Sequence, residues 1–181
     1  MDVEELKQRY TAGERDFSVV DLKHANLEAT DLSGAVFQGA ILDGANLRRA
    51  NLNHADLSGA SLSGADLTQA DLSQADLSNT ILDNAVLEGA VLIGASLGQA
   101  DLKAADLEQA DLTQADMSQA DLTGANLEAT DLSEADLAIA DLHKANLTQA
   151  ALETANLTGA NLEGANVKGT ILEGGDSSLA T

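Results

Sequence analysis

From Phe17 to Leu172 a large apolar residue falls on every fifth position, without one insertion or deletion. These 32 centres are 28 Leu together with Phe17, Phe37, Met117 and Val167. Two positions before each stands a small residue, Ala in nearly every unit, with Arg15, Val20, Thr30, Thr80, Thr130 and Thr170 as exceptions. The slot between them holds 15 Asp and 8 Asn. A helix needs apolar residues about every 3.6 positions and a flat strand every second one, so neither accommodates a strict five. Residues two apart share one side of an extended segment, which turns Ala and Leu inward and Asp outward. Each unit is therefore a short extended piece and a turn, and the Gly that ends many units (Gly34, Gly39 and Gly44 among them) suits the corner. A chain built this way winds into stacked coils, a solenoid.

Composition supports a narrow, regular interior. Aromatic residues make up only 2% of the chain, so Leu and Ala must fill the core. There is no Pro, as expected where nearly every backbone N–H is used in a ladder. The formal charge of −21 disfavours direct binding to nucleic acid or to an anionic membrane surface. With no Cys there is neither a disulfide framework nor a thiol nucleophile. No apolar run approaches the roughly 20 residues needed to cross a bilayer. The start, MDVEELKQRY, has acids where a signal peptide has bases, so the expected location is the cytoplasm.

Residues 1–15 lie outside the repeat. Asp2 suits an N-cap, Val3, Leu6 and Tyr10 share a helical face, and Gly13 suits a C-terminal stop. The expected helix, Val3 to Ala12, would cap the first coil and cover its core. The repeat domain is expected over 16–174, followed by a flexible tail at 175–181.

The units ADLSQ, ANLTG and ADLTQ resemble the pentapeptide-repeat family, whose consensus is Ala-(Asp/Asn)-Leu-x-x, and the resemblance covers residues 15 to about 174. It implies an all-β solenoid, a right-handed quadrilateral β-helix with four units per coil and about 8 coils, closed by a short N-terminal α-helical cap like that of several cyanobacterial members. In the family, open C-terminal ends support head-to-head dimers, so the expectation is a monomer or a dimer through that end.

No pattern of nucleophile, base and oxyanion donors is present, and His24, His54 and His143 have no metal-ligand spacing. No enzyme activity, cofactor or metal is expected. Carboxylates are the one abundant reactive group. Under a 20-residue coil, Asp101 stacks with Asp121 and Asp141, Asp111 with Asp131, and Asp116 with Asp136. One reading is that Asp and Asn bond the local backbone and keep the rod in solution. Another is a ladder that holds divalent cations weakly or imitates the phosphates of duplex DNA, as the gyrase-protecting family members do. Charge that encircles the rod argues against a one-sided mimic.

Apolar residues in outward positions are the departures from the rule. They are Val36 and Ile41, then Ile81, Val86 and Val91 in successive units, with Ile93 at a corner. They either suit a pleated surface or mark a partner-binding belt. Arg48 and Arg49, with His54 close by, form the one compact basic spot of the repeat, and their contacts are either acids of neighbouring coils, the expected case, or a partner. The expected function is a non-enzymatic scaffold, a rigid acidic rod that binds a protein partner. A DNA mimic directed at gyrase or topoisomerase is the alternative, and a designed or consensus-like repeat with no cellular role is a second one.

Overall fold

The computed structural model describes residues 1–174. The expected tail at 175–181 lies outside the described residues. The chain opens with α1 (Val3–Thr11), one residue shorter than expected because Ala12 is its C-cap. The Asp2 carboxylate accepts the Glu5 N–H at 2.8 Å, and Glu4 and Glu5 place negative charge against the helix N-terminus. At the other end the Gly13 N–H donates to Tyr10 O and the Glu14 N–H to Arg9 O, both at 3.0 Å. This double closure favours a left-handed residue, and Gly13 supplies it with φ +97°. Leu6 is buried together with Phe17, Leu22, Leu27 and Leu32, the centres of the first coil. The Tyr10 hydroxyl donates to Ser33 O at 2.9 Å, and the Arg9 guanidinium lies 5.7 Å from the centroid of Phe17, which stacks on Phe37.

From Asp16 to Asn146, every outward residue forms a parallel β-bridge with the residue 20 positions later. One circuit of the solenoid thus takes four units. Four outward faces result, named here in chain order: face 1 begins at Asp16, face 2 at Asp21, face 3 at Asn26 and face 4 at Asp31, each continuing in steps of 20. The extended piece of each unit is so short that only one residue is bridged. Leu42 N–H donates to Ser61 O at 2.7 Å, and Asp56 N–H to Ala35 O at 2.9 Å. Ala45 N–H closes the intervening turn on Leu42 O at 3.0 Å.

The last residue of every unit from Val19 to Gly174 has a positive φ, and only 12 of these 32 residues are Gly. Glycine suits the corner without being required there. Stacking holds the geometry, since from Val19 to Gln149 the corner N–H also donates to the next coil, as Gln74 does to Ile93 O at 3.0 Å. A left-handed conformation costs a residue other than Gly about 1–2 kcal/mol. Val19, Ile139 and Thr154 are the demanding cases, being β-branched with φ of 52°, 60° and 60°.

Inside, Leu and Ala are almost wholly removed from water, and each fully buried Leu contributes roughly 1.5–3 kcal/mol. Thr80 and Thr130 take the Ala position and remain buried because their hydroxyls donate to Leu57 O at 3.0 Å and Leu127 O at 2.5 Å. The C-terminal end is more open. Leu162, Val167 and Leu172 are half-buried and Ile171 is exposed. Among the described residues no helix is long and apolar enough to cross a membrane.

Candidate functional site

The outward Asp and Asn have a local task. Their Oδ1 accepts the N–H of the residue two positions on, as in Ser58 to Asp56 (3.0 Å), Ser73 to Asp71 (2.9 Å) and Thr113 to Asp111 (3.0 Å). An Asn one coil later then donates to that same oxygen, as Asn51 does to Asp31 (3.0 Å), Asn126 to Asp106 (2.9 Å) and Asn161 to Asp141 (2.9 Å). On face 3 the chain of amides continues from Asn126 to Asn146 and Asn166.

An ionised Asp cannot donate, so Asp stacked on Asp sets two carboxylates side by side. The bridges make such pairs of Asp111 and Asp131 on face 4, Asp116 and Asp136 on face 1, and Asp121 and Asp141 on face 2. At a strand spacing of about 4.8 Å, each pair repels by roughly 1 kcal/mol in water. Asp101 and Asp121 are relieved by Lys103, whose Nζ lies 3.1 and 2.8 Å from them. Burial works against the charge of Asp121, but the Lys103 and Thr123 donors outweigh it and hold its carboxyl below the ordinary range. The Ser61 hydroxyl at 2.5 Å, aided by Lys23, does the same for Asp43.

The apolar outward residues do not form one patch. Ile41 and Ile81 share face 2 with Ser61 between them, whereas Val36 is on face 1, Val86 on face 3 and Val91 on face 4. Ile93 stands at the corner after face 4. Ile81 and Ile93 are 44% and 37% exposed, and the three Val and Ile41 are half-buried between neighbouring coils. The basic spot is engaged: Arg48 Nη1 lies 3.0 Å from Asp66 Oδ2, and Arg49 Nε donates to Gln69 Oε1 at 3.2 Å.

A family model described as "Pentapeptide repeats (8 copies)" matches residues 16–52, 30–69, 70–109, 100–138 and 140–174. The chain belongs to the pentapeptide-repeat family. Among solved structures, this pentapeptide-repeat protein is similar to HetL from the cyanobacterium Nostoc sp. strain PCC 7120, described as involved in heterocyst differentiation regulation. The two are 33% identical, the match covers 96% of each chain, and the TM-score is 0.63. A trypsin-treated form of QnrB1, a plasmid-mediated fluoroquinolone resistance protein, shares the fold at 17% identity and a TM-score of 0.58, covering 86% of this chain and 88% of its own. No curated protein matches the sequence.

A signal for the 20-residue circuit sits at the corners. A large corner residue is followed one coil later by Gly in Val19 and Gly39, Gln69 and Gly89, and Ile139 and Gly159. In each pair a side chain on the Gly would meet the earlier residue within 3.7 Å.

Proposed function

We propose that this pentapeptide-repeat protein is a non-enzymatic scaffold that binds another protein along its sides, as a right-handed β-helix of about eight coils acting in the cytoplasm. The observation that carries the reading is the alignment of the exposed Ile81 with Ile41 across Ser61 on face 2 of a largely polar, acidic surface. Outward apolar side chains add little to the Leu and Ala core, and exposed ones gain most when a partner covers them. The likeness to HetL, a protein involved in regulation, supports a binding role. The residues proposed for partner contact are Val36, Ile41, Ile81, Val86, Val91 and Ile93, which the circuit spreads around the rod, with only Ile41 and Ile81 on one face. The test is affinity capture from the native host with the full chain, followed by mass spectrometry. Ile81→Asp with Val91→Asp should keep the fold and lose the partner; an unchanged set of captured proteins would overturn the reading.

The half-buried C-terminal Leu162, Val167 and Leu172 support a dimer through that end. A sedimentation series that stayed monomeric at all concentrations would remove it. A second reading, a DNA mimic that binds gyrase, is favoured by the stacked carboxylates of Asp111 and Asp131 and of Asp116 and Asp136. A supercoiling assay with and without quinolone tests it, and no effect at micromolar protein excludes it.

A further inference from the structure

The corner between face 1 and face 2 carries no charge along the whole repeat. Its eight residue pairs, from Ser18–Val19 in steps of 20 to Thr158–Gly159, contain no Asp, Glu, Lys, Arg or His. The other three corners all carry charge, for example Lys103, Glu108 and Glu134. In a chain of net charge −21, an uncharged edge of this length is a distinct surface.

Beside that corner, face 2 is also uncharged over three consecutive coils, where Ile41, Ser61 and Ile81 are bridged in succession. The edge widens there into a strip with a small residue between two branched apolar ones. Carboxylates bound it on both sides: Asp56 and Asp76 on face 1, and Asp83 at the turn after face 2, where Asp43 is already paired with Lys23 at 3.3 Å. Two rungs separate Ile41 from Ile81, about 10 Å. An α-helix repeats its apolar ridge at i and i+7 over about 10.5 Å.

We propose that this strip docks a basic amphipathic helix of a partner protein, its apolar ridge meeting Ile41 and Ile81, an intervening side chain entering over Ser61, and flanking Lys or Arg facing the acidic margins. The inference rests on the scaffold reading above and names the surface and the partner's chemistry. A second copy of this chain is a poorer occupant, because its own acidic margins would face those of the first. Nucleic acid is poorer still, since the strip offers no cation.

The test uses the full chain and a Leu/Lys peptide of about 18 residues with Leu at i, i+3, i+4 and i+7. It is titrated by fluorescence anisotropy at about 150 mM salt, where exposed charges are screened beyond about 8 Å. Ile41→Asp with Ile81→Asp should weaken binding about tenfold or more, as expected for loss of central apolar anchors. Simple ionic attraction predicts the reverse, because the variant gains two carboxylates. Val86→Asp with Val91→Asp, on faces 3 and 4, should not weaken binding. Circular dichroism checks that each variant is folded, and the neutral pair Ile41→Ser with Ile81→Ser should also weaken binding if the first pair disturbs the coil. Binding that is unchanged or stronger in the folded Ile variants overturns the proposal when the parent binds, and the neutral pair supplies the reading if the Asp pair unfolds. Failure of the parent to bind the peptide also overturns it. So does sedimentation showing a dimer of the parent that the Ile variants abolish, which would assign the strip to a second copy. If the peptide fails while host capture is still lost in the Ile81→Asp, Val91→Asp pair, the scaffold reading stands and the strip falls.

Discussion

Ile139 is held at φ +60° with 66% of its surface exposed, so its side chain bears the cost of a left-handed backbone and recovers little by burial. Replacing it with Gly removes about 1–2 kcal/mol of that cost. Against this, Gly loses more freedom on folding, which takes back about 0.5–1 kcal/mol. One coil later the Ile139 side chain lies over Gly159, where an added Cβ would meet its Cγ1 at 3.5 Å, and the packing against that glycine is the contact the substitution removes. The net expectation for Ile139→Gly is a stabilisation of up to about 1.5 kcal/mol. For a chain of this size that corresponds to a rise of up to about 6 °C in melting temperature. Differential scanning calorimetry measures it. Ile139→Asn should also gain, because Asn tolerates the left-handed region, while Ile139→Ala should gain less. A glycine variant that melts below the parent would refute the reasoning, and would mean that stacking of Ile139 on the next coil outweighs its backbone strain.

Gly94→Ala should destabilise by about 1–2 kcal/mol from its φ of +63°, with little added by Gln74, whose terminal amide is the flexible end that its new methyl would meet; Gln74→Ala in the same chain should therefore recover little in a denaturant titration. Leu92→Ala, in the middle of the core, should cost about 2–5 kcal/mol by the same titration, whereas Leu172→Ala, half-buried at the open end, should cost clearly less. The carboxyl of Asp43 is held below its ordinary 3.8 in the folded chain, so its stabilisation is complete above that value and is lost as pH falls through the folded pKa. The stability difference between the parent and Asp43→Asn should therefore be greatest at about pH 6 and shrink below about pH 4. A difference that grows on acidification would contradict this sign.

Much of the fold is legible in the residues. The Ala and Leu positions follow from a period of five, because only an extended segment with a turn presents both on one side. The α1 cap follows from Asp2, the Leu6 and Tyr10 face, and Gly13. The candidate surface is less legible. Ile81, Val86 and Val91 are consecutive outward residues in sequence, yet the circuit sends them to three faces. Ile41 and Ile81 belong to units far apart in sequence, yet they lie on one face with only Ser61 between them.

The sequence by itself determined which side chains turn inward, since burial of Leu and Ala depends on local alternation alone. Only the tertiary structure decided which outward residues are neighbours. Nearly every unit repeats the same Leu and Ala, so the core reads alike in every register, and the length of the circuit is set by bridges between residues 20 apart. Those bridges bring the uncharged corner pairs into one line, and they decide whether an Asp meets an Asn donor or a second carboxylate one coil later.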